Sequence, residues 1–205
     1  MKFETITILE EVDTTIKLLH YEICSPELLD LAGMSDGEIS TFHSFKSAKR
    51  KLEFYFTRLL WRQFELGMPI FYNENGKPKI SSGYMSISHS KASILIGYSK
   101  QKEIGLDIEH YNPKIDLIKH KFLSEQEINQ YDITDLTILT AIWSIKEAIY
   151  KMIDEPGLSF QNQIDVISLG DLKQVFVKTN KNESMIVFSN LIMSEFVISY
   201  CYKPA

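Results

Sequence analysis

The sequence predicts an α+β protein, and three observations carry that reading. Two stretches, 41–66 and 136–152, repeat apolar residues at a helical period. Much of the rest alternates apolar and polar residues as strands do, above all at 93–98, 104–109 and between 160 and 203. Strand, helix and strands also follow one another in a similar order in each half, which points to a duplicated α+β unit although no sequence repeat is visible.

Taken in order, residues 3–9 alternate through Phe3, Thr5, Ile6 and Ile8 and are expected to form a strand. Phe45, Ala48, Leu52, Phe56, Leu59 and Gln63 mark one long helix that ends near Gly67. The stretch MPIFYNENGKPKI brings Pro69, Asn75-Gly76 and Pro78 together, a loop or hairpin whose turn is expected to present Lys77 outward. Residues 93–98 read as a strand, and 104–109 as its hairpin partner across the polar link Ser99 to Lys102. After the break at Asn112-Pro113, Ser124 and Glu127 form a capping box, and the helix 136–152 is closed by Pro156-Gly157. VFVKT, SMIVFSN and EFVISYCYK are three further strands, with turns at Gly170-Asp171, Asn180 to Asn182 and Asn190.

At 205 residues and 23.7 kDa the chain fits one large domain or two closely packed halves. Hydrophobic residues make up 44% and charged residues 24%, as in a folded globular protein and unlike a disordered one. The start, MKFETITILEEVD, carries acids where a secretory signal needs a basic end and an apolar run. No stretch reaches the ~18 apolar residues of a membrane span, so a cytoplasmic protein without membrane partners is expected. Cys24 and Cys201 stand far apart with no metal or disulfide pattern, and both are expected to be reduced core thiols.

Net charge is −5, but residues 1–40 hold two basic and nine acidic side chains, whereas 41–62 hold six basic (Lys46, Lys49, Arg50, Lys51, Arg58, Arg62) and one acidic, Glu53. That segment is either a solvated helix face or a site for an anion such as phosphate. The acidic remainder of the chain argues against nucleic acid.

In IGLDIE, alternation puts Ile104, Leu106 and Ile108 on one face and Gly105, Asp107 and Glu109 on the other. Two carboxylates on a rigid strand suit a hard divalent ion that keeps positions open for water and phosphate. On the helix 136–152, Ile138, Ala141, Ile142, Ile145, Ala148, Ile149 and Met152 form the apolar side. Thr140, Ser144, Glu147 and Lys151 lie opposite. Trp143 shares their side and needs a covering surface, for which the other half of the molecule is the candidate. Glu147 and Lys151 read either as a surface ion pair or as a third oxygen ligand with a cation for phosphate.

The pair GLDIE (Gly105–Glu109) and WSIKEAIYK (Trp143–Lys151) resembles the signature of the 4′-phosphopantetheinyl transferases. Gly76-Lys77-Pro78, Ser88-His89-Ser90 and the KRxxEFxxxR element running from Lys49-Arg50 through Glu53-Phe54 to Arg58 resemble the longer, two-half branch, the surfactin-synthetase-activating type. The resemblance spans roughly residues 45–152. Ser86 departs from it, since that branch often has asparagine there.

This resemblance implies two similar α+β halves about a pseudo-twofold, 1–101 and 102–205, with the site in the cleft between them, and a monomer. It implies transfer of the phosphopantetheine arm of coenzyme A to a serine of an apo acyl, peptidyl or polyketide carrier protein, releasing adenosine 3′,5′-bisphosphate. Asp107, Glu109 and Glu147 would hold Mg²⁺, or Mn²⁺. Glu147 would take the serine proton, and Lys151 would bind the pyrophosphate. Ser88 and His89, with Lys49, Arg50, Arg58, Gly76, Lys77 and Pro78, would bind coenzyme A, His89 at its 3′-phosphate. The alternatives are a non-catalytic coenzyme A or nucleotide binder of the same fold and, less compatible with the negative surface, a metal-dependent nuclease.

Overall fold

A computed structural model describes residues 2–169, 174–179 and 183–203. The chain begins with strands β1 (Phe3–Glu10) and β2 (Thr14–Tyr21), then helices α1 (Asp36–Ser44) and α2 (Ala48–Arg62). Two short strands, β3 (Phe71–Tyr72) and β4 (Pro78–Lys79), lead to β5 (Tyr84–Ser90) and β6 (Ser93–Ser99). Next come β7 (Ile104–His110), the short helices α3 (Ile115–Ile118) and α4 (Glu125–Gln130), and the long α5 (Leu136–Ile153). The chain closes with α6 (Phe160–Gln163) and strands β8 (Ile164–Val166), β9 (Gln174–Lys178), β10 (Glu183–Ile192) and β11 (Phe196–Tyr202). The turns expected at Gly170-Asp171 and Asn180 to Asn182 lie outside the described residues. Among those described, no helix is long and apolar enough to cross a membrane.

The strands make one four-stranded sheet, β1-β2-β6-β5, one five-stranded sheet, β7-β11-β10-β9-β8, and the small β3-β4 hairpin. The first sheet thus draws on residues up to Ser99 and the second on residues from Ile104 onward. β6 and β7 therefore do not form the expected hairpin. Both edges of β6 are taken, one by β2 and one by β5, and the β5–β6 turn is closed by Lys91 in the left-handed region (φ 51°). β7 pairs instead with β11.

The single helix expected over 41–66 is two helices. Phe45 is extended, and Ser47 accepts a hydrogen bond from the Arg50 N–H, restarting the chain as α2. α1 has its own capping box, Ser35 with Glu38. α2 ends at Arg62, short of Gly67. The capping box at Ser124 and Glu127 and the end of α5 at Asp154 (φ 57°), ahead of Pro156-Gly157, agree with the sequence reading. Asn190 is not a turn: it lies within β10 and accepts a hydrogen bond from Ser199, while the chain reverses at residues 193–195. β2 packs on both sheet faces, Ile16 and Leu18 in one apolar cluster and Leu19 and Tyr21 in another, and went unread in the sequence.

Apolar side chains gather in three clusters. One joins α2 to the first sheet around Phe56, Leu60 and Ile94; a second joins α5 to the second sheet around Ile142, Ile145 and Val175. The third lies where the sheets meet, with Ile16, Leu18 and Leu95 against Leu106, Ile108 and Ile198. The apolar face of IGLDIE is thus spent on the contact between sheets, and Asp107 and Glu109 point the other way. Cys201 is buried as expected, whereas Cys24 is only half-buried.

Candidate active site

β5 and β7, each an edge strand of its sheet, lie side by side. The Oγ atoms of Ser86, Ser88 and Ser90 accept from the backbone N–H groups of Leu106, Ile108 and His110 at 3.0, 3.2 and 3.4 Å. Among the described residues no backbone-to-backbone bond joins these strands. Serines at every second position thus satisfy donors that an edge strand would otherwise leave bare.

On its other face β7 receives α5. A Cβ on Gly105 would collide with the Ala148 carbonyl, so glycine is what lets the helix settle onto the strand. That approach sets the site. The Lys151 ammonium donates to Asp107 Oδ1 at 2.7 Å and to Ser88 Oγ at 2.9 Å, and Ser88 Oγ donates to the same Asp107 oxygen at 2.9 Å. One group from each of β5, β7 and α5 therefore meets at a single point. About two turns toward the start of α5 from Lys151, the Trp143 indole N–H donates to Glu109 Oε1 at 3.2 Å. Trp143 packs against Phe122 and Phe160, so its cover comes from its own side of the chain and not from the other half.

Thr140 and Ser144 are buried, not aligned on an open polar face, because α5 is enclosed by β7, β11 and the segments around Phe122 and Phe160. Lys146 is fully buried too. Its ammonium donates to Glu127 at 2.7 Å and to the carbonyls of Phe122 and Phe160 at 2.6 and 2.8 Å. Of the two lysines in WSIKEAIYK, Lys146 belongs to the fold and Lys151 faces the site.

Burial is the main cause that lifts the Glu109 carboxyl to about 7, and the Asp107 charge adds to it. Glu147 is pushed upward by burial first and then by Asp107. The three carboxylates therefore repel one another in a poorly solvated place. Among the described residues no three His, Cys, Asp or Glu side chains are gathered tightly enough to hold a metal ion. As arranged here, Lys151 covers one Asp107 oxygen and Trp143 engages Glu109. The other oxygen, Asp107 Oδ2, is buried without a hydrogen-bond partner. An orphaned carboxylate oxygen beside two further carboxylates is a donor set whose chemistry, though not its spacing as it stands, fits a hard divalent cation.

The remaining predicted contacts fall into two groups. Arg50, Arg58 and Gly76 line a cavity of about 790 Å³ together with Phe54, Trp61 and Tyr72. There Arg58 is buried, paired with Glu38 at 2.9 Å and held over the Phe54 ring at 4.4 Å. Lys49, Arg50 and His89 converge on Glu53. Gly76, Lys77 and Pro78 line a smaller cavity of about 200 Å³ with Lys151. Lys77 does not point outward: its ammonium donates to the Met152 carbonyl at 2.5 Å and pairs with Glu103 at 2.8 Å, which ties the β3–β4 hairpin to the end of α5.

Sequence reasoning missed Glu38 and the serine seam as parts of this region, and named Glu53 within the KRxxEFxxxR element without giving it a role. Of these, only the Ser86-x-Ser88-x-Ser90 alternation carried a readable signal.

Residues 103–201, from the residue before β7 into β11, match the family model of the 4′-phosphopantetheinyl transferase superfamily. No curated protein matches the chain.

Proposed function

We propose that this chain transfers the 4′-phosphopantetheine group of coenzyme A to a serine hydroxyl of an apo acyl or peptidyl carrier protein. The observation that carries the reading is the meeting of Lys151 and Asp107 with Ser88, beside Glu109 and Glu147; all but Ser88 lie within the segment that matches the family model. On this reading the halves 1–101 and 102–205 are related by a pseudo-twofold, coenzyme A lies between them, and the protein works as a monomer in the cytoplasm.

Asp107, Glu109 and Glu147 would hold Mg²⁺ or Mn²⁺. When bound, the ion supplies positive charge to the coenzyme A pyrophosphate and to its departing half. Lys151, whose ammonium rests 2.7 Å from Asp107, would bring its point charge to the pyrophosphate. Glu147 accepts the carrier serine proton as the serine oxygen bonds to phosphorus. The bond from that phosphorus to the bridging oxygen breaks, and adenosine 3′,5′-bisphosphate leaves with the electron pair. Ser88, His89, Lys49, Arg50, Arg58, Gly76, Lys77 and Pro78 hold the nucleotide in line for this displacement.

Intact-mass measurement of a panel of apo carrier proteins after incubation with the protein, coenzyme A and Mg²⁺ tests the proposal. A gain of one phosphopantetheine on any carrier supports it. Tight coenzyme A binding with no gain on any carrier would favour the non-catalytic binder.

A further inference from the structure

Glu53 sits on α2 with its side chain only 6% exposed, yet two cationic side chains and an imidazole converge on it from two elements. Lys49 Nζ lies 3.6 Å from Oε1, Arg50 Nη1 lies 3.4 Å from Oε2, and His89 Nδ1 reaches across from β5 to within 3.4 Å of Oε1. Lys49 and Arg50 precede Glu53 by one helical turn, so both fall on its face of α2. Their side chains are themselves 70% and 49% exposed, so the cluster has a buried anchor and a cationic rim open to solvent. Exposed long side chains gain little from a surface ion pair, and holding them in one place costs rotamer freedom. A buried carboxylate that gathers two such groups and an imidazole is therefore out of the ordinary for a solvated helix face.

We infer that Glu53 is a positioning residue for a phosphate monoester subsite formed by Lys49, Arg50 and His89. The inference rests on the coenzyme A reading above, and the monoester is the 3′-phosphate. Glu53 touches no ligand in this role: it aims the three groups and favours the charged form of the imidazole. Burial, Lys151, Arg50 and Lys49 all push His89 toward its neutral form, and Glu53 pulls the other way. Without the carboxylate the two flexible cations would scatter and the imidazole would stay neutral, so a dianion would find fewer and less ordered donors.

The test compares coenzyme A with 3′-dephospho-coenzyme A by titration calorimetry on the full-length chain with Mg²⁺, in wild type and in Glu53→Gln. Glu53→Asp serves as a second variant: it keeps the buried charge but withdraws it by one carbon, should the glutamine variant fail to fold. Wild type is expected to prefer coenzyme A. Either variant is expected to lose about tenfold in affinity for coenzyme A, with little change for the dephospho form, so that the preference collapses. A role in packing alone would lower the melting temperature and weaken both ligands alike, which overturns the inference, as does a folded variant that keeps the full preference. Wild type binding neither nucleotide would sink the coenzyme A reading itself. Wild type binding both equally would remove only the subsite.

Discussion

Glu109 and Lys151 carry charge states that solution measurements can read. Glu109 has its carboxyl lifted to about 7, above its ordinary value, so the folded chain holds a proton there that the unfolded chain has already released. Stability in the absence of divalent ions is then greatest below the ordinary carboxylate range and falls as pH rises toward 7, because ionisation is disfavoured only in the folded state. Thermal melts in chelator between about pH 5 and about pH 8 are expected to show that decline, and Glu109→Gln to flatten it. An equal slope in the variant would mean that another group carries the effect. Lys151 gives a second handle. Lys151→Ala leaves the Asp107 carboxylate buried with only Ser88 donating to it, which should cost up to about 3 kcal/mol. Mg²⁺ should restore much of that loss by neutralising the same carboxylate, while coenzyme A binding stays weak for want of the ammonium. Glu147→Gln keeps the shape of the side chain and should lower kcat far more than it weakens coenzyme A binding. Near wild-type turnover by that variant would remove Glu147 from both proposed roles.

Helix α5 is held against strand β7 through one glycine and against α4 by one buried ion pair. Gly105→Ala must push the Ala148 carbonyl away, and overpacking of this kind typically costs ~1–3 kcal/mol. Because the same displacement separates Lys151 from Asp107, activity should fall with stability. A Gly105→Ala protein of unchanged melting temperature and turnover would show that the helix does not rest on this contact. Lys146→Met should cost about 3–5 kcal/mol by leaving Glu127 charged and buried, and a further Glu127→Leu change in the same chain should recover part of it. These elements also show what a single sequence can yield. The two faces of IGLDIE were readable because strand alternation is local, and the end of α5 was readable from Pro156-Gly157. Lys146 was not, since its partner Glu127 stands on another helix and nothing in the local sequence separates a buried lysine from a solvated one. The expected β6–β7 hairpin failed for a related reason. Adjacency in the chain favours it, but the edges of β6 were already taken by β2 and β5, and strand competition is a property of the whole sheet.

Two sheets joined along β5 and β7 hold the candidate nucleotide and metal contacts in register, since Ser88 and His89 come from one sheet and Asp107 and Glu109 from the other. The apolar cluster of Leu95, Leu106 and Ile108 presses the sheets together, but apolar contact is non-directional and tolerates sliding. The serine seam is what fixes register. Each Oγ meets the N–H twenty residues ahead of it, so a slip by one residue would bring an isoleucine or a histidine of β5 against those donors. Ser88 is tied to Asp107 and Lys151 as well, which makes it unsuitable for a clean test. Ser86 and Ser90 lie on either side and touch neither. In a Ser86→Ala, Ser90→Ala double variant the Leu106 and His110 N–H groups lose their acceptors, and an unsatisfied buried donor costs about 1–3 kcal/mol. The Leu106 bond is fully buried and the His110 bond partly so, and the first loss should be the larger. We expect the double variant to melt below wild type and to show raised amide hydrogen exchange at Leu106 and His110. Coenzyme A affinity should fall although no proposed ligand contact has been removed, because Ser88 and His89 would no longer be held against Asp107 and Lys151. Loss of stability with coenzyme A affinity intact would mean that the apolar cluster alone sets the register of the two sheets.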